Sequence, residues 1–230
     1  MRGGSSSHNS IGLLKRILLI SIVIAIAVVS EYIDEAILSS SVPSGQDIFP
    51  SWISSVDEHL FLFINVGLAN AFLRTLFQLL THLGSTLAIV TLCLALYFLG
   101  YRRDAFLILV SVLIGTVITL PIKVFIPRPR PYMTLPMAIP LEREAGSSFP
   151  SGHSERAFAL AVVLSRKRPR LTFPICSLAI LVAFSRIYIG VHYPFDVAFG
   201  SAIGWMIGKT TLRYEHRLEK SLKRLYPELF

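Results

Sequence analysis

From Ala105 to Phe125 the chain runs for twenty-one residues with a single charged side chain, Lys123. A helix of that length rises about 30 Å at ~1.5 Å per residue, the thickness of a hydrocarbon bilayer core. Four further runs have the same character: Ile17 to Val29, Ser85 to Gly100, Leu171 to Ile187 and Phe195 to Leu212. A sixth, Ser154 to Ser165, is shorter at about 18 Å, and a helix starting at Ser151 inside the membrane boundary has no need to cross the full thickness. With 53% hydrophobic and 16% charged residues, the 230-residue chain reads as a polytopic membrane protein rather than a soluble domain.

The expected fold is all-α, a six-transmembrane-helix bundle with an interfacial helix between the first and second spans. Residues 1–12 are expected to be a disordered Gly/Ser-rich tail, 13–212 the membrane domain, and 213–230 a basic cytoplasmic tail. Ala25-Ile26-Ala27 has the small-x-small pattern of a signal-peptide cleavage site, but it lies inside the first apolar run, which favours a retained span. Glu31 to Trp52 is polar, with Pro43-Ser44-Gly45 and Pro50 as turn signals, and reads as a loop. Between Val56 and Thr81, Leu73, Leu76, Phe77 and Leu80 recur at helical spacing among polar residues, which points to a segment lying in the interface. The tail carries Leu218, Leu222 and Leu225 among alternating Glu and Lys/Arg, a pattern equally suited to anionic lipid or to water.

Charge orients the spans. Of 22 Lys and Arg, fifteen fall on one side when the loops are numbered alternately, leaving seven on the other. The positive-inside rule makes the fifteen-residue side cytoplasmic, so both termini are internal, as expected of a plasma-membrane protein. The net charge of +8 is scattered over short loops, not gathered on a polar face, which argues against a nucleic-acid partner. Cys93 and Cys176 each lie within an apolar run and give neither a disulfide framework nor a metal-ligand spacing.

The seven outer cations include Lys123, Arg130 and Arg186, which share that side with Ser151, Gly152, His153, His192 and Asp196. Three cations near a membrane are costly without an anion, and guanidinium groups bind phosphate oxygens bidentately. Pro150-Ser151-Gly152-His153 stands directly before an apolar helix, so its amides suit an oxyanion at a helix N-terminus. Ser151 equally suits an ordinary helix cap. His192 and Asp196 are four residues apart, with Pro194 placed for a first helical turn. A carboxylate on one ring nitrogen fixes the tautomer and frees the other nitrogen to attack phosphorus. Spacing leaves open which of His153 and His192 attacks. His8, His59, His82 and His216 have no such company.

In order and spacing, Lys123 to Arg130-Pro131, Pro150 to His153, and Ser185-Arg186 to His192 and Asp196 resemble the signature of the type 2 phosphatidic acid phosphatase superfamily. These are membrane lipid phosphatases whose site is shared with vanadium haloperoxidases. The motifs span about a third of the chain. The resemblance implies His192 as nucleophile, a phosphohistidine intermediate, His153 as general acid and Asp196 as its catalytic companion. Lys123, Arg130, Ser151, Gly152 and Arg186 would hold the phosphate. It implies no metal and no cofactor. The substrate would be a membrane lipid phosphate: a polyprenyl diphosphate or monophosphate, phosphatidic acid or phosphatidylglycerophosphate. The same intermediate would serve a lipid phosphotransferase, and a non-catalytic lipid transporter is a reading from another class. Transport would call for polar residues through the spans, and the second, third and fifth are nearly free of charge. Arg128, Arg143, Glu155 and Arg156 lie near the motifs without an assigned role.

Overall fold

Helix starts follow the local chemistry. The structure, a computed structural model, describes residues 49–225, so the expected first span at Ile17 to Val29 and the expected N-terminal tail lie outside the described residues. Among the described residues all regular elements are helical. Helix α1 (Ser51–Leu62) continues through a π turn, Phe63–Gly67, and α2 (Ala71–Thr81) ends in a 3-10 turn, His82–Gly84. The Asn70 side chain starts α2 by accepting from the Phe72 and Leu73 amides at 2.8 and 3.4 Å. Ser85 does the same for α3 (Thr86–Phe98) through the Ala88 amide at 3.1 Å. The remaining helices are α4 (Arg102–Phe125), a single turn α5 (Pro131–Thr134), α6 (Gly152–Lys167), α7 (Thr172–Tyr188), α8 (Pro194–Arg213) and α9 (Glu215–Leu225).

Two expectations take a different form in the structure. The stretch read as one interfacial helix is an elbow, with α1 and α2 bent by 116° at the break between them. The expected six spans do not all have the form of independent apolar helices. Arg102–Phe125 and Pro169–Tyr188 are long and apolar enough to cross a membrane, and the bent pair would make a third if taken as one span. The reason lies in packing. Helix α6 carries Glu155, Arg156, Arg166 and Lys167, yet it is enclosed by α4, α7 and α8, so its neighbours rather than lipid meet most of its surface. Helix α3 is apolar but has only 13 residues.

The α6–α8 contact is drawn together by Gly200, Gly204 and Gly208, one every fourth residue along α8. A Cβ at Gly200 would stand 2.4 Å from the Ser151 carbonyl oxygen, and one at Gly204 only 2.0 Å from that of Glu155. Small residues at this spacing let two membrane helices meet backbone to backbone. Opposite, α7 packs on α6 through Ala157, Ala161, Ala179 and Val182. On the third side, Ile89, Cys93, Leu107 and Ile108 join α3 and α4 to the core.

This arrangement gathers the C-termini of α4 and α7 and the N-termini of α6 and α8 at one end of the bundle. All three motifs sit there, and backbone bonds tie them: Ser148 N to Arg128 O at 2.8 Å and Ser151 N to Asp196 O at 3.1 Å. The other end is closed by α9, whose Glu215 and Glu219 both pair with Arg103 at the start of α4.

Candidate active site

Arg130 follows α4 in a loop and is only 2% exposed. Its Nε donates to Gly146 O at 3.2 Å, Nη1 to Val191 O at 3.1 Å and Nη2 to Ala145 O at 2.9 Å, which fixes the plane of the guanidinium. Arg186, in the last turn of α7, is fully buried, and its Nη1 donates to Thr81 Oγ1 at 2.6 Å. Between these two cations lies Glu144. One carboxylate oxygen is 2.9 Å from Arg130 Nη1, and the other accepts from Arg186 Nη2. Burial alone would raise the Glu144 carboxyl, but the Arg186 and Arg130 charges outweigh it and hold the group well below the usual carboxylate range. Glu144 thus supplies an oxyanion to a forked double-arginine clamp. Its side chain is 29% exposed while those of Arg130, Arg186 and His192 are 2% or less, so the clamp opens to the outside through Glu144.

His192, in the short turn between α7 and α8, points Nε2 at this carboxylate, 4.0 Å from its oxygen. Its Nδ1 is 2.6 Å from the Ser148 carbonyl oxygen. A carbonyl only accepts, so Nδ1 carries the hydrogen and the neutral ring has its lone pair on Nε2, facing the clamp. Burial lowers the His192 ring to about 4, the Asp196 carboxylate opposing and the Arg130 and Arg186 charges assisting. His153 is oriented the other way. Its Nδ1 is 3.4 Å from Arg156 Nη2, and a guanidinium only donates, so the ring rests with Nδ1 accepting and the hydrogen on Nε2. Arg156 is itself anchored by Nε to Gly84 O at 3.1 Å. His153 lies within electrostatic reach of Glu144, Arg186 and His192. In these tautomers the His192 ring turns a lone pair toward the clamp and the His153 ring carries its hydrogen on Nε2.

Asp196 sits differently from expectation. Its Oδ2 is 3.7 Å from His192 Nδ1, too long for a hydrogen bond, and Ser148 holds the ring instead. The physical reason is that its oxygens are already used. Oδ1 accepts from Arg128 Nη1 at 2.7 Å, and Oδ2 accepts from the Tyr193 amide at 2.9 Å, capping α8. Arg128 Nη1 also donates to Asp57 Oδ2 at 2.7 Å, and Asp57 Oδ1 accepts from the Phe195 amide at 2.8 Å. The Arg128 guanidinium stacks over the Tyr193 ring at 4.0 Å. Asp57, Arg128 and Asp196 thus form a buried chain from α1 to the start of α8, beneath the His192 turn.

Ser151 is fully buried and caps α6, its Oγ accepting from Ser154 N at 3.4 Å and from Ser154 Oγ at 3.0 Å. Gly152 begins the helix where a Cβ would stand 3.2 Å from Arg156 Nη1, so the missing side chain leaves room for the guanidinium that orients His153. Lys123 is buried in the last turn of α4. The structure thus brings Arg130, Arg186 and His192 to one point, with His153 beside it and Asp196 beneath.

Sequence reasoning missed Glu144, Ser148, Thr81 and the role of Arg128. The two acids Glu142 and Glu144, flanking Arg143 in the loop between motif cations, were the available sign for Glu144, whereas Ser148 acts through its backbone and leaves no side-chain signal. Gly190 is a further case, with φ of 89° and a Cβ position only 2.8 Å from Ile139 O. Glycine is needed there to turn the chain two residues before His192.

Residues 104–220 match the family model of the PAP2 superfamily. The chain belongs to this superfamily. It is similar to undecaprenyl-diphosphatase BcrC of Bacillus subtilis, 30% identical over 104 residues that cover 45% of this chain. The chain spans just 54% of the length of that relative. It is also similar to lipid A 4'-phosphatase of Porphyromonas gingivalis, 31% identical over 172 residues that cover 68% of this chain and 72% of the relative. Among solved structures, Aquifex aeolicus LpxE superposes with a TM-score of 0.66 at 29% identity, covering 74% of this chain and 99% of LpxE. The PAP2 chain is thus helical in the manner of a known membrane-protein fold.

Proposed function

We propose that this PAP2 chain is an integral membrane phosphatase that hydrolyses a lipid phosphate monoester or diphosphate through a phosphohistidine at His192. The observation that carries the reading is the Glu144 carboxylate held by Arg130 and Arg186, 4.0 Å from the lone-pair nitrogen of His192. A phosphoryl group is the other common oxyanion suited to that clamp, and it would take the carboxylate's place. The names of the relatives, which include an undecaprenyl-diphosphatase and a lipid A 4'-phosphatase, support a lipid phosphate as substrate.

With the phosphoryl seated, His192 Nε2 attacks phosphorus and the bond from phosphorus to the lipid oxygen breaks, its electron pair leaving with that oxygen. Positive charge appears on the His192 ring. The Ser148 carbonyl and the Asp196 carboxylate, 2.6 and 3.7 Å from Nδ1, stabilise it. Arg130 and Arg186 meet the charge spreading over the equatorial oxygens. The long 3.4 Å contact lets His153 Nδ1 exchange Arg156 for a proton. The imidazolium gives its Nε2 proton to the departing oxygen and later takes one from the attacking water, which releases inorganic phosphate and restores both rings.

The test is phosphate release by the purified full chain in detergent, offered polyprenyl diphosphate, polyprenyl monophosphate, phosphatidic acid and phosphatidylglycerophosphate. Turnover of at least one is expected, unchanged by excess chelator. No release from any member, or activity lost in chelator and restored by divalent ions, contradicts the reading. The pH profile gives a second check. His192 must be neutral to attack, so the acid limb of kcat/KM lies at about 4, the value to which burial lowers the ring. An acid limb at about 6.5, that of a solvated imidazole, would place His192 outside this environment.

A further inference from the structure

A cavity of about 620 Å3 lies at the end of the bundle far from the clamp. It is lined by residues of α6, α7 and α8, with both α7 and α8 packed on α6. The floor is α6, with Phe158, Ala161 and Ser165, and the walls are Cys176 of α7 and Trp205 of α8. From Phe158 to Ser165 the floor runs about 10 Å at ~1.5 Å per residue. Both ends are distinct. The deep end is apolar, whereas the mouth carries Arg166, Lys209 and Arg213.

Two features of the mouth point to an anion. Lys209 and Arg213 are exposed and make no ion pair among the described residues, with Lys209 Nζ resting 5.6 Å from the Trp205 ring centre. Arg166 is spent in part on Leu212 O at 3.2 Å and on Glu215 at 3.7 Å, and its side chain is still 52% exposed. The Ser165 Oγ, at the join of the apolar floor and the basic mouth, is buried and has no hydrogen-bond partner. Buried hydroxyls are seldom left without one.

We infer that this groove is a binding site for an anionic phospholipid, separate from the catalytic clamp, with one acyl chain along the α6 floor and the phosphate at Lys209, Arg213, Arg166 and Ser165. The occupant is a lipid rather than a soluble anion because the cations stand at the mouth of an apolar trough. Such a volume suits a chain with its headgroup and far exceeds what a bare phosphate fills. The cations also lie at the end of the bundle that the positive-inside rule assigns to the cytoplasmic leaflet, where anionic lipid concentrates. The site does not depend on the phosphatase reading.

Cys176 in the groove wall reports occupancy. The full chain in detergent micelles is mixed with phosphatidylglycerol, or with phosphatidylcholine bearing the same acyl chains, and alkylation of Cys176 by a maleimide is timed. Cys93, buried in the α3–α4 core, serves as the internal reference. Phosphatidylglycerol is expected to slow the Cys176 reaction at least about fivefold relative to phosphatidylcholine. The Lys209→Ala/Arg213→Ala variant is expected to lose that difference while phosphate release stays unchanged. Lys220→Ala/Arg224→Ala, an equal loss of charge on α9, should keep it. Equal protection by both lipids, protection by neither, or protection by inorganic phosphate alone overturns the site.

Discussion

His192→Gln is expected to abolish phosphate release, lowering kcat by about 10^4-fold or more, the usual scale for loss of a catalytic nucleophile. Gln is the instructive replacement because its amide keeps a donor for the Ser148 carbonyl, 2.6 Å from the ring in the native chain, while leaving no lone pair on nitrogen for attack. The turn therefore stays anchored and only the chemistry is lost. In the native chain, an alkaline quench after labelled substrate should leave phosphate on the protein, and His192→Gln should remove the label. Turnover within tenfold of the native chain would exclude His192 as nucleophile. His153→Gln gives a contrasting pattern. A departing phosphate carries its negative charge well and a departing alkoxide does not, so loss of the acid should slow monoester hydrolysis by about 10^2 to 10^4-fold and diphosphate hydrolysis by less. If both substrates fall equally, His153 serves to position the substrate rather than to deliver a proton.

How far the sequence could be read depends on which atoms carry the information. The helix starts at Ser85, Ser151 and Pro194, and the long apolar run of α4, follow from local rules that act within a few residues, and the structure has them. The elbow between α1 and α2 was illegible because what turns the chain there is distant. Asn65 Nδ2 donates to Ile139 O at 2.9 Å and to Tyr188 O at 2.8 Å, and its Oδ1 accepts from the Ile139 amide at 2.7 Å. Those partners lie 74 and 123 residues away in the chain. The six-span count is left unconfirmed for a related reason. Hydropathy records what a helix would prefer alone, whereas α6 is surrounded by other helices and can carry Glu155 and Arg156 inside the bundle. At the site, Arg130, Arg186 and the two imidazoles were legible as residue types at fixed spacing. The tautomers were not, since Ser148 contributes a backbone carbonyl and Arg156 an orientation. Arg128 shows the limit most clearly. In the sequence it is a loop cation near the motifs with no assigned role, and in the structure it is a fully buried tie between two carboxylates.

That tie sets the largest expected effect on stability. In Arg128→Met the side-chain volume is roughly kept, but both hydrogens of Nη1 are lost, and with them the 2.7 Å bonds to Asp57 and Asp196. The two carboxylates would remain at 3% and 0% exposure with no guanidinium between them. Removing one partner of a buried ionic group costs about 3–5 kcal/mol, because the charge left behind has neither water nor a counterion. For a chain of this size that amounts to a fall in Tm on the order of 10 °C in detergent. The loss should be shared by function, since Asp196 caps α8 through the Tyr193 amide and so fixes the turn that carries His192. Adding Asp57→Asn to Arg128→Met removes one of the stranded charges and is expected to recover part of the lost stability. Asp57→Asn alone should be destabilising, so the double variant sits above the sum of the single losses. If Arg128→Met melts with the native chain, or if the two substitutions simply add, then the carboxylates are neutral or hydrated in the folded protein. The chain from α1 to α8 would in that case be a contact without energetic weight, and the His192 turn would owe its position to Ser148 and Gly190 alone.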